Sequence, residues 1–326
     1  MKQRSTIASD PLSHSRRRAF QFLPLFHALS LFHSSHLSPE NTPALIDAPT
    51  GHRLSPLRIH PPRQNPFRLS DNYNRPLHGR HRLHTISNIF RNPNPLVLSL
   101  LTRHRLLSAN PASTQSEISH QIEISKPLIA FTTSTIAAKL PSSFRHGTVY
   151  LDSPGFQSMM MMTLDAKVDQ DRIEVNQLDP AAIPYSSGTN GRVEGMVLSH
   201  RSLIALIAGY YVTRPETDVE NRPPSLITLP LFHIFGLFMC VRAVALAEAV
   251  VLMKRFDFEE TLRAMERYKV SNMPVSPPLV VAMAKSELVE KHDLSSLELV
   301  GCGGAPLGKE LTEGFTTWFP TWKYYR

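Results

Sequence analysis

The feature that most constrains the fold of this chain is a short apolar segment that runs directly into a serine- and glycine-rich loop. The apolar residues lie at 182–185, and the loop SSGTNG follows at 186–191. Gly188 and Gly191 permit backbone conformations that a side chain would block, and three hydroxyl side chains stand beside consecutive amide groups. Such a loop offers hydrogen-bond donors to phosphate oxygens, although an ordinary turn after a strand has the same composition.

Short apolar runs alternate with helical patterns on the N-terminal side of this loop. Helical spacing is visible over 116–124 and 134–140, and strand-like runs lie at 127–133, 148–151 and 182–185. This alternation is typical of parallel strands joined by crossover helices. Because open α/β sheets bind ligands at the carboxyl ends of their strands, the loop stands where a ligand is expected.

Charge divides the chain into two unlike parts. Residues 1–125 hold 15 Lys or Arg against 6 acidic residues, whereas residues 126–326 hold 20 against 21. The two cysteines, Cys240 and Cys302, are too few for a disulfide framework and lack metal-binding spacing, which favours a reducing compartment and predicts no zinc site. The most apolar early segment, 20–32, is too short for a membrane span.

The basic part is rich in Arg, Pro and His, and residues 56–107 show neither a helical nor a strand period. Three interpretations remain open. The segment could be a nucleic-acid-binding tail, since Arg pairs with phosphate. It could extend a transit sequence that begins in the Arg- and Ser-rich N-terminus. We favour a third, that it derives from a displaced reading frame or a mispredicted exon and is disordered and non-native.

Several motifs in register connect the chain to a known family. The text YSSGTNGRVEGMVLSHRSLIA at 185–205 resembles the phosphate-loop signature of acyl-adenylate-forming enzymes, most closely the plant 4-coumarate:CoA ligase and ligase-like branch. LPLFHIFG at 229–236 is similar to the family's substrate-gate segment, and the stretch 270–311 to the one that contains its adenine-side GAAPL motif. An earlier fragment at 40–55 resembles the family's N-terminal region, so the Arg-rich text stands where the family has ordered structure.

The resemblance implies an α/β fold, namely part of the N-terminal large domain of an acyl-adenylate-forming enzyme, with mostly parallel sheets and crossover helices. It also implies that the C-terminal lid domain is absent and that the N-terminal third is largely irregular. We therefore divide the chain into a leader at 1–36, a disrupted N-terminal region at 37–107, and an incomplete AMP-binding large domain at 108–326.

The implied reaction has two steps. ATP and a carboxylic acid give an acyl-adenylate and pyrophosphate, and the acyl group then passes to the thiol of coenzyme A. The implied cofactors are ATP, Mg²⁺ and coenzyme A, and the expected partner is an aromatic or fatty carboxylic acid. We expect no specific nucleic acid as a partner and no membrane span, and a non-enzymatic chain whose Arg-rich segment binds nucleic acid is the alternative.

The resemblance assigns candidate site residues in three groups, each of which also has a purely structural interpretation. The phosphate contacts are Ser186, Ser187, Gly188, Thr189, Asn190 and Gly191, with Glu194 beside them. The acyl and adenylate pocket comprises His233, Phe235, Met239, Gly303, Gly304, Ala305 and Pro306, and Arg255 would contact coenzyme A. The structural alternatives are a histidine at a helix start, core Phe and Met residues, a glycine turn after a strand, and a solvated charge at a strand end.

Two positions of the loop depart from the family pattern. Asn190 replaces a Thr, and its amide can still donate to phosphate. Glu194 replaces a Lys and so exchanges a favourable charge for an unfavourable one. At an effective dielectric constant near 20, two unit charges ~4 Å apart interact by ~4 kcal/mol, and exposure to solvent reduces this severalfold. The expected consequence is weaker binding of triphosphate.

Family sequences continue past the point that corresponds to Arg326. They carry a YGxTE motif, a ribose-binding aspartate and, in a small C-terminal domain, the lysine that stabilises the adenylating transition state. Lys309 and Lys323 stand in other contexts, so we expect no catalytic residue and doubtful activity in this chain. We also expect an unpaired sheet edge that promotes self-association. The resemblance implies a cytoplasmic or peroxisomal location, and a transit sequence leaves organelle import open.

Overall fold

Two mostly parallel β-sheets, with helices between them and outside them, form the fold. The computed structural model describes residues 45–49, 53–54, 82–86, 105–141, 144–161, 176–187, 193–213, 223–246, 248–253, 255–318 and 323–325. None of the helices within these ranges has the length and apolar content that a membrane span needs.

Fourteen strands occur in the described ranges. They are β1 Leu45–Asp47, β2 Arg53–Leu54, β3 Arg82–Ile86, β4 Arg105–Ser108, β5 Ile129–Thr132, β6 Thr148–Tyr150, β7 Pro180–Ser187, β8 Val193–Gly195, β9 Leu198–Ser199, β10 Ser225–Ile227, β11 Val250–Leu252, β12 Asn272–Val275, β13 Leu299–Cys302 and β14 Lys323–Tyr325. The helices are α1 Gln115–Ser125, α2 Ser134–Ala137, α3 Pro154–Met161, α4 His200–Thr213, α5 Ile234–Ala245, α6 Phe258–Tyr268, α7 Pro277–Lys285 and α8 Lys309–Trp318, with a 3₁₀ turn at Val289–Lys291.

The strands are divided between two sheets. The first sheet has the order β6-β5-β3-β4-β7-β8, and β9 also pairs with β7. Its pairs from β6 to β7 are parallel, whereas β8 and β9 run antiparallel to β7. The second sheet has the order β14-β13-β12-β10-β11-β1-β2, parallel except for the β1–β2 pair. The short antiparallel β7–β8 hairpin therefore closes one edge of a parallel sheet.

The main core lies between the two sheets and is filled by α4 and α5. Apolar side chains of both helices pack with residues of the first sheet, such as Leu106, and of the second, such as Leu252. The Ser108 hydroxyl donates to the backbone oxygen of Phe232 over 3.1 Å, which ties the end of β4 to the segment before α5. A second core lies on the other face of the second sheet, under α6, α7 and α8.

Helix α1 shows how local sequence fixes an element of this fold. Thr114 and Glu117 form a capping box, in which the Glu117 N–H donates to the Thr114 hydroxyl over 3.3 Å and the Thr114 N–H donates to the Glu117 carboxylate over 2.7 Å. The bond from the Thr114 backbone holds the pKa of Glu117 below its usual range. The helix ends at Ser125 and is capped by Lys126, whose φ of 46° is left-handed.

The alternation predicted from the sequence is confirmed. The helical pattern at 116–124 corresponds to α1, and the three strand-like runs correspond to β5, β6 and β7. All four residues of β5 are buried, as expected of a short apolar strand with sheet neighbours on both sides. The helix predicted over 134–140 is shorter than expected: α2 begins at Ser134 and ends at Ala137.

The expected disorder of residues 56–107 is wrong where the structure describes them. β3 lies within this segment and pairs in parallel with β4 on one side and β5 on the other. A strand with two neighbours obtains its backbone hydrogen bonds from tertiary structure, so a composition rich in Arg and His does not exclude it. The rest of this segment lies outside the described residues, as do the proposed leader 1–36 and the apolar run 20–32.

The expected boundary at 107 also differs from the structure. β4 crosses it, and β1 pairs in parallel with β11 while β2 returns antiparallel beside β1. Ile46 and Ala48 are buried in the second core, and the Tyr268 hydroxyl donates to the backbone oxygen of Ala48 over 2.9 Å. Parts of the N-terminal region thus belong to the same two sheets as the rest.

A buried ion pair lies between α5 and the strand that follows it. Arg242 and Glu248 are joined by a bond of 2.6 Å, and their side chains are only 5% and 3% exposed. Glu248 also accepts from the Ser225 hydroxyl, and the Arg242 guanidinium lies 5.2 Å from the centre of the Tyr210 ring. Because both charges are buried, each needs the other to offset its loss of hydration.

Both cysteines are buried free thiols, which agrees with the absence of a disulfide pattern. Burial raises the pKa of the Cys240 thiol to about 12, so this side chain is an uncharged core group at neutral pH. Among the described residues, no cluster of His, Cys, Asp and Glu side chains has a geometry suited to a metal ion.

Candidate functional site

The serine- and glycine-rich loop connects the two strands of the β7–β8 hairpin. Residues 188–192, which include Gly188, Thr189, Asn190 and Gly191, lie outside the described residues, and so does the side chain of Ser187. The flanking strands are described, with Tyr185 opposite Gly195, Ser186 opposite Glu194 and Ser187 opposite Val193. The loop is therefore held at both ends by a short antiparallel pair at the carboxyl end of β7.

The register of this hairpin fixes where Glu194 stands relative to the loop. Side chains of directly opposed residues lie on the same face of an antiparallel pair, with Cβ atoms about 5 Å apart. Ser186 and Glu194 are both exposed, so the hydroxyl and the carboxylate share one solvent-facing side of the hairpin. The Glu194 carboxylate thus stands beside Ser186, the first residue of the serine- and glycine-rich loop.

The chain that leaves the hairpin is fastened to the segment that precedes β7. The His200 N–H donates to the Asp179 backbone oxygen over 3.1 Å, and the Arg201 N–H donates to the Gln177 backbone oxygen over 2.8 Å. His200 is buried, and burial lowers the pKa of its imidazole against the opposing effect of the Asp179 carboxylate. The start of α4 is therefore held by two backbone hydrogen bonds and carries a buried histidine that is not among the predicted site residues.

His233 occupies the helix-start position that was its structural alternative. It directly precedes α5, and its Nδ1 accepts from the Phe235 N–H over 3.3 Å. Its side chain is exposed, although the neighbouring Phe232 and Phe235 favour burial when only the sequence is read. Because Nδ1 acts as an acceptor, the ring proton belongs to Nε2, which this exposed ring can offer to a ligand.

Phe235 and Gly303 bring two of the predicted segments into contact. A methyl group placed on Gly303 would lie 3.1 Å from the Phe235 ring, so the ring packs directly over the bare glycine backbone. Gly303 follows β13, and its N–H donates to the Val275 backbone oxygen over 3.0 Å. The start of α5 and the glycine run at 303–306 therefore form one continuous surface at the carboxyl ends of the second sheet.

The rest of the glycine run is an exposed turn. Gly304 has a φ of +90°, a conformation that strongly favours glycine, and Ala305 and Pro306 are exposed beside it. Its backbone groups face solvent, as a surface that contacts an adenine base requires. The predicted glycine turn after the apolar strand is confirmed, and an adenine contact remains a prediction.

Met239 and Arg255 occupy the positions that their structural alternatives predict. Met239 is buried in the core between the two sheets, which matches its alternative role as a core residue. Arg255 is exposed a few residues after the end of β11, which agrees with a solvated charge at a strand end. A coenzyme A contact at Arg255 remains a prediction.

Gly236 is a site residue that the sequence pattern does not single out. A methyl group at this position would lie 2.2 Å from the Pro230 backbone oxygen and 3.0 Å from that of Leu229. The first turn of α5 can therefore approach the preceding segment only because residue 236 has no side chain. The available signal is a glycine inside an otherwise apolar helix start, which often marks a close backbone approach.

Comparison with known proteins connects these elements to one family. Residues 103–325 match the family model described as "AMP-binding enzyme". The chain is 48% identical over 227 residues to "4-coumarate--CoA ligase-like 9" of Arabidopsis thaliana, an alignment that covers 69% of this chain and 40% of the relative. It is 34% identical over 229 residues to "Peroxisomal OPC-8:0-CoA ligase 1" of the same plant, covering 67% and 42%.

Solved structures give the same result for the fold. The chain superimposes on a natural red-emitting luciferase from Phrixothrix hirtus with a TM-score of 0.72 and 25% identity, covering 91% of this chain and 59% of that one. The chain spans about 40% of the length of the two relatives named above. The match to the family model begins at residue 103, so it includes β4 and all of the site elements described here.

The close approach at Gly236 yields a stability test. Gly236→Ala should destabilise the protein by about 1–3 kcal/mol, because the added methyl group overlaps backbone that cannot move freely. Gly209→Ala is the matched control, since Gly209 lies within α4 with open space around its Cα. This control should stabilise by up to about 1 kcal/mol because alanine favours helix. Chemical denaturation measures both, and equal stability of Gly236→Ala and wild type would contradict the close approach.

Proposed function

The chain belongs to the AMP-binding enzyme family, and from that premise we propose that it serves acyl activation of the acid:CoA ligase type. In this reaction ATP and a carboxylic acid form an acyl-adenylate and pyrophosphate, and coenzyme A then receives the acyl group. The observation that carries the proposal is the contact of Phe235 with Gly303, which joins the acyl-side and adenine-side segments into one surface. Two relatives named as a CoA ligase or CoA ligase-like support it.

Phosphate binding is proposed for the loop that the β7–β8 hairpin carries. Ser186, Ser187, Gly188, Thr189, Asn190 and Gly191 would hold the β- and γ-phosphates through backbone N–H groups and hydroxyls. The described ends of the hairpin support this, because they fix the two ends of the loop at the carboxyl edge of a parallel sheet. Glu194 opposes the binding through its charge.

The acyl group is proposed to bind against the Phe235 ring and the Gly303 backbone. An aromatic ring over a bare glycine leaves a flat apolar surface, which suits an aromatic or fatty acyl group more than a polar acid. His233 stands at the rim of this surface with an exposed imidazole that can donate from Nε2. Met239 would shape the site from the core behind it, without reaching its surface.

The adenine base is proposed to lie on the backbone of Gly303, Gly304, Ala305 and Pro306. The left-handed Gly304 keeps this turn free of a side chain that would cover the backbone. Arg255 is proposed for the phosphates of coenzyme A, supported by its exposed position a few residues after the end of β11.

Mg²⁺ would reach the site with the nucleotide. The described residues provide no converging group of ligating side chains, and Mg²⁺ commonly takes most of its ligands from substrate phosphates and water. When bound, the ion neutralises part of the phosphate charge. The chain's own contribution is to bind and orient the two substrates, which lowers the barrier by placing the reacting atoms together.

The proposal is tested with a stable mimic of the acyl-adenylate. A 4-coumaroyl sulfamoyl adenosine should bind the purified chain more tightly than either 4-coumarate or AMP alone, because it fills the acyl and adenine surfaces together. Isothermal titration calorimetry measures the three affinities. If the mimic binds no better than AMP, the acyl surface is not a binding site.

Formation of hydroxamate from ATP, acid and hydroxylamine should be slow, since the charge of Glu194 opposes binding of the ATP phosphates. Rapid turnover would contradict that role of Glu194.

The charge at Glu194 gives a second test. Glu194→Gln should tighten ATP binding by about fivefold, because one exposed unit charge near a phosphate is worth ~1 kcal/mol in water. Glu194→Lys should tighten it further, and the gain should shrink as salt is raised toward molar concentration. AMP is the internal control, since its single phosphate lacks the β- and γ-groups that the loop is proposed to hold. Unchanged ATP affinity in both variants would remove Glu194 from the phosphate site.

A peroxisomal location is proposed from the name of one relative. Its name contains the word peroxisomal, which favours the peroxisome among the cytoplasmic, peroxisomal and organelle-import alternatives given by the sequence. Microscopy of a chain with an internal fluorescent tag, compared with a peroxisomal marker, checks this. A mitochondrial or plastid signal would instead favour the transit interpretation of the Arg- and Ser-rich N-terminus.

A further inference from the structure

Tyr185 makes a long-range contact that neither the family motif nor the proposed phosphate contacts explain. Its hydroxyl donates to the backbone oxygen of Gln121 over 3.3 Å, across 64 positions of sequence. Tyr185 immediately precedes Ser186 in β7, whereas Gln121 lies in α1 on the outside of the first sheet. The contact therefore connects the base of the β7–β8 hairpin to a helix that has no other role in the proposed site.

Helix α1 is a firm support for such a contact. It is closed at its start by the capping box of Thr114 and Glu117, and it buries Ile118, Gln121 and Ser125. The Gln121 carbonyl also accepts from the Ser125 hydroxyl within the same helix. A hydrogen bond to this carbonyl therefore fixes the tyrosine to a part of the molecule that is itself held by burial and capping.

The Tyr185 ring also packs on the partner strand of the hairpin. Tyr185 is paired with Gly195, and a methyl group at Gly195 would lie 2.9 Å from Cγ2 of Ile183 and 3.4 Å from Cε1 of Tyr185. The ring therefore lies beside the bare backbone of Gly195 in β8. One side chain contacts β8 through its ring and α1 through its hydroxyl, so it links three elements.

The two faces of the hairpin have different partners. Successive side chains of a strand point to opposite faces, so Tyr185 and Gly195 face one side while Ser186 and Glu194 face the other. The first side contacts α1, and the second carries the exposed hydroxyl and carboxylate of the proposed phosphate site. Tyr185 therefore cannot contact a phosphate that is bound beside Ser186, and any effect it has on binding must pass through the backbone.

We propose that Tyr185 is a positioning residue for phosphate binding: its hydroxyl fastens the hairpin to α1 and so fixes where Ser186 and Glu194 are presented. This inference rests on the proposed function, because it assumes that the hairpin holds the phosphates of ATP. Its physical basis is preorganisation, since a hairpin that is already fixed loses less conformational entropy when the ligand binds.

The test is Tyr185→Phe, which keeps the ring on Gly195 and removes only the hydroxyl. ATP affinity should fall roughly threefold to tenfold, the usual effect of losing one neutral hydrogen bond, while AMP affinity stays unchanged. General damage to the fold would weaken both nucleotides, so this difference separates positioning from stability. Tyr150→Phe is the matched control, because Tyr150 carries an exposed ring on β6, at the opposite edge of the same sheet.

Hydrogen exchange provides a readout that does not depend on nucleotide. The Met196 N–H donates to the Pro184 backbone oxygen over 2.9 Å at the base of the hairpin, so its exchange reports how firmly β8 is held. Exchange at Met196 should be faster in Tyr185→Phe than in wild type or Tyr150→Phe. Gly195→Ala, whose methyl group would overlap Cγ2 of Ile183 on the partner strand, should produce the same faster exchange and the same selective loss of ATP affinity.

The outcomes separate this inference from the function on which it rests. Unchanged exchange at Met196 in Tyr185→Phe overturns the anchor, whatever the nucleotide affinities are. Faster exchange with unchanged ATP affinity overturns the positioning role. If wild type binds no ATP while Tyr185→Phe still exchanges faster, the proposed function fails and the anchor alone is confirmed.

Discussion

The helix layer between the two sheets is the constraint on which the rest of the structure depends. α4 and α5 must present apolar side chains to both sheets at once, so α5 is apolar nearly all round, and its single charged residue, Arg242, is paired with Glu248. Such a helix cannot shift without opening a cavity or exposing a charge. The candidate site lies at the starts of these two helices: α4 begins where the hairpin leaves the first sheet, and α5 begins directly after His233. Its parts are therefore placed by core packing rather than by loop contacts.

The part of the fold that follows hydrophobic pattern could be predicted from the sequence, and the part that follows tertiary pairing could not. β5 is a short run of buried apolar residues and α1 has helical spacing with a capping box, so local sequence and final structure agree. β3 reads RLHTI and has no comparable pattern, yet it pairs with neighbours on both sides. A strand in that position is determined by its neighbours, which a single-sequence pattern does not contain. The Arg-rich composition around β3 therefore predicts less order than the structure shows.

The candidate site divides in the same way. The glycine run at 303–306 and the loop after β7 are recognisable because their residue types are required by backbone geometry and phosphate chemistry. Gly236 and Tyr185 are not recognisable, because their importance lies in what they contact: the backbone of Pro230 in one case and the backbone of Gln121 in the other. His233 illustrates a third situation. Its position at a helix start was predictable, but its exposure was not, since neighbouring phenylalanines suggest burial when only the sequence is read.

The alternation of a β-strand explains how one hairpin can be both a support and a binding surface. If Tyr185 and Ser186 shared a face, the ring that holds β8 against α1 would compete for space with a phosphate. Because they face opposite sides, the contact with α1 leaves the face of Ser186 and Glu194 uncovered. In the proposed function, the departure at Glu194 therefore acts through electrostatics. Reversing one charge on the face opposite the Tyr185 contact would leave the shape of the proposed phosphate site and change how strongly it attracts an anion.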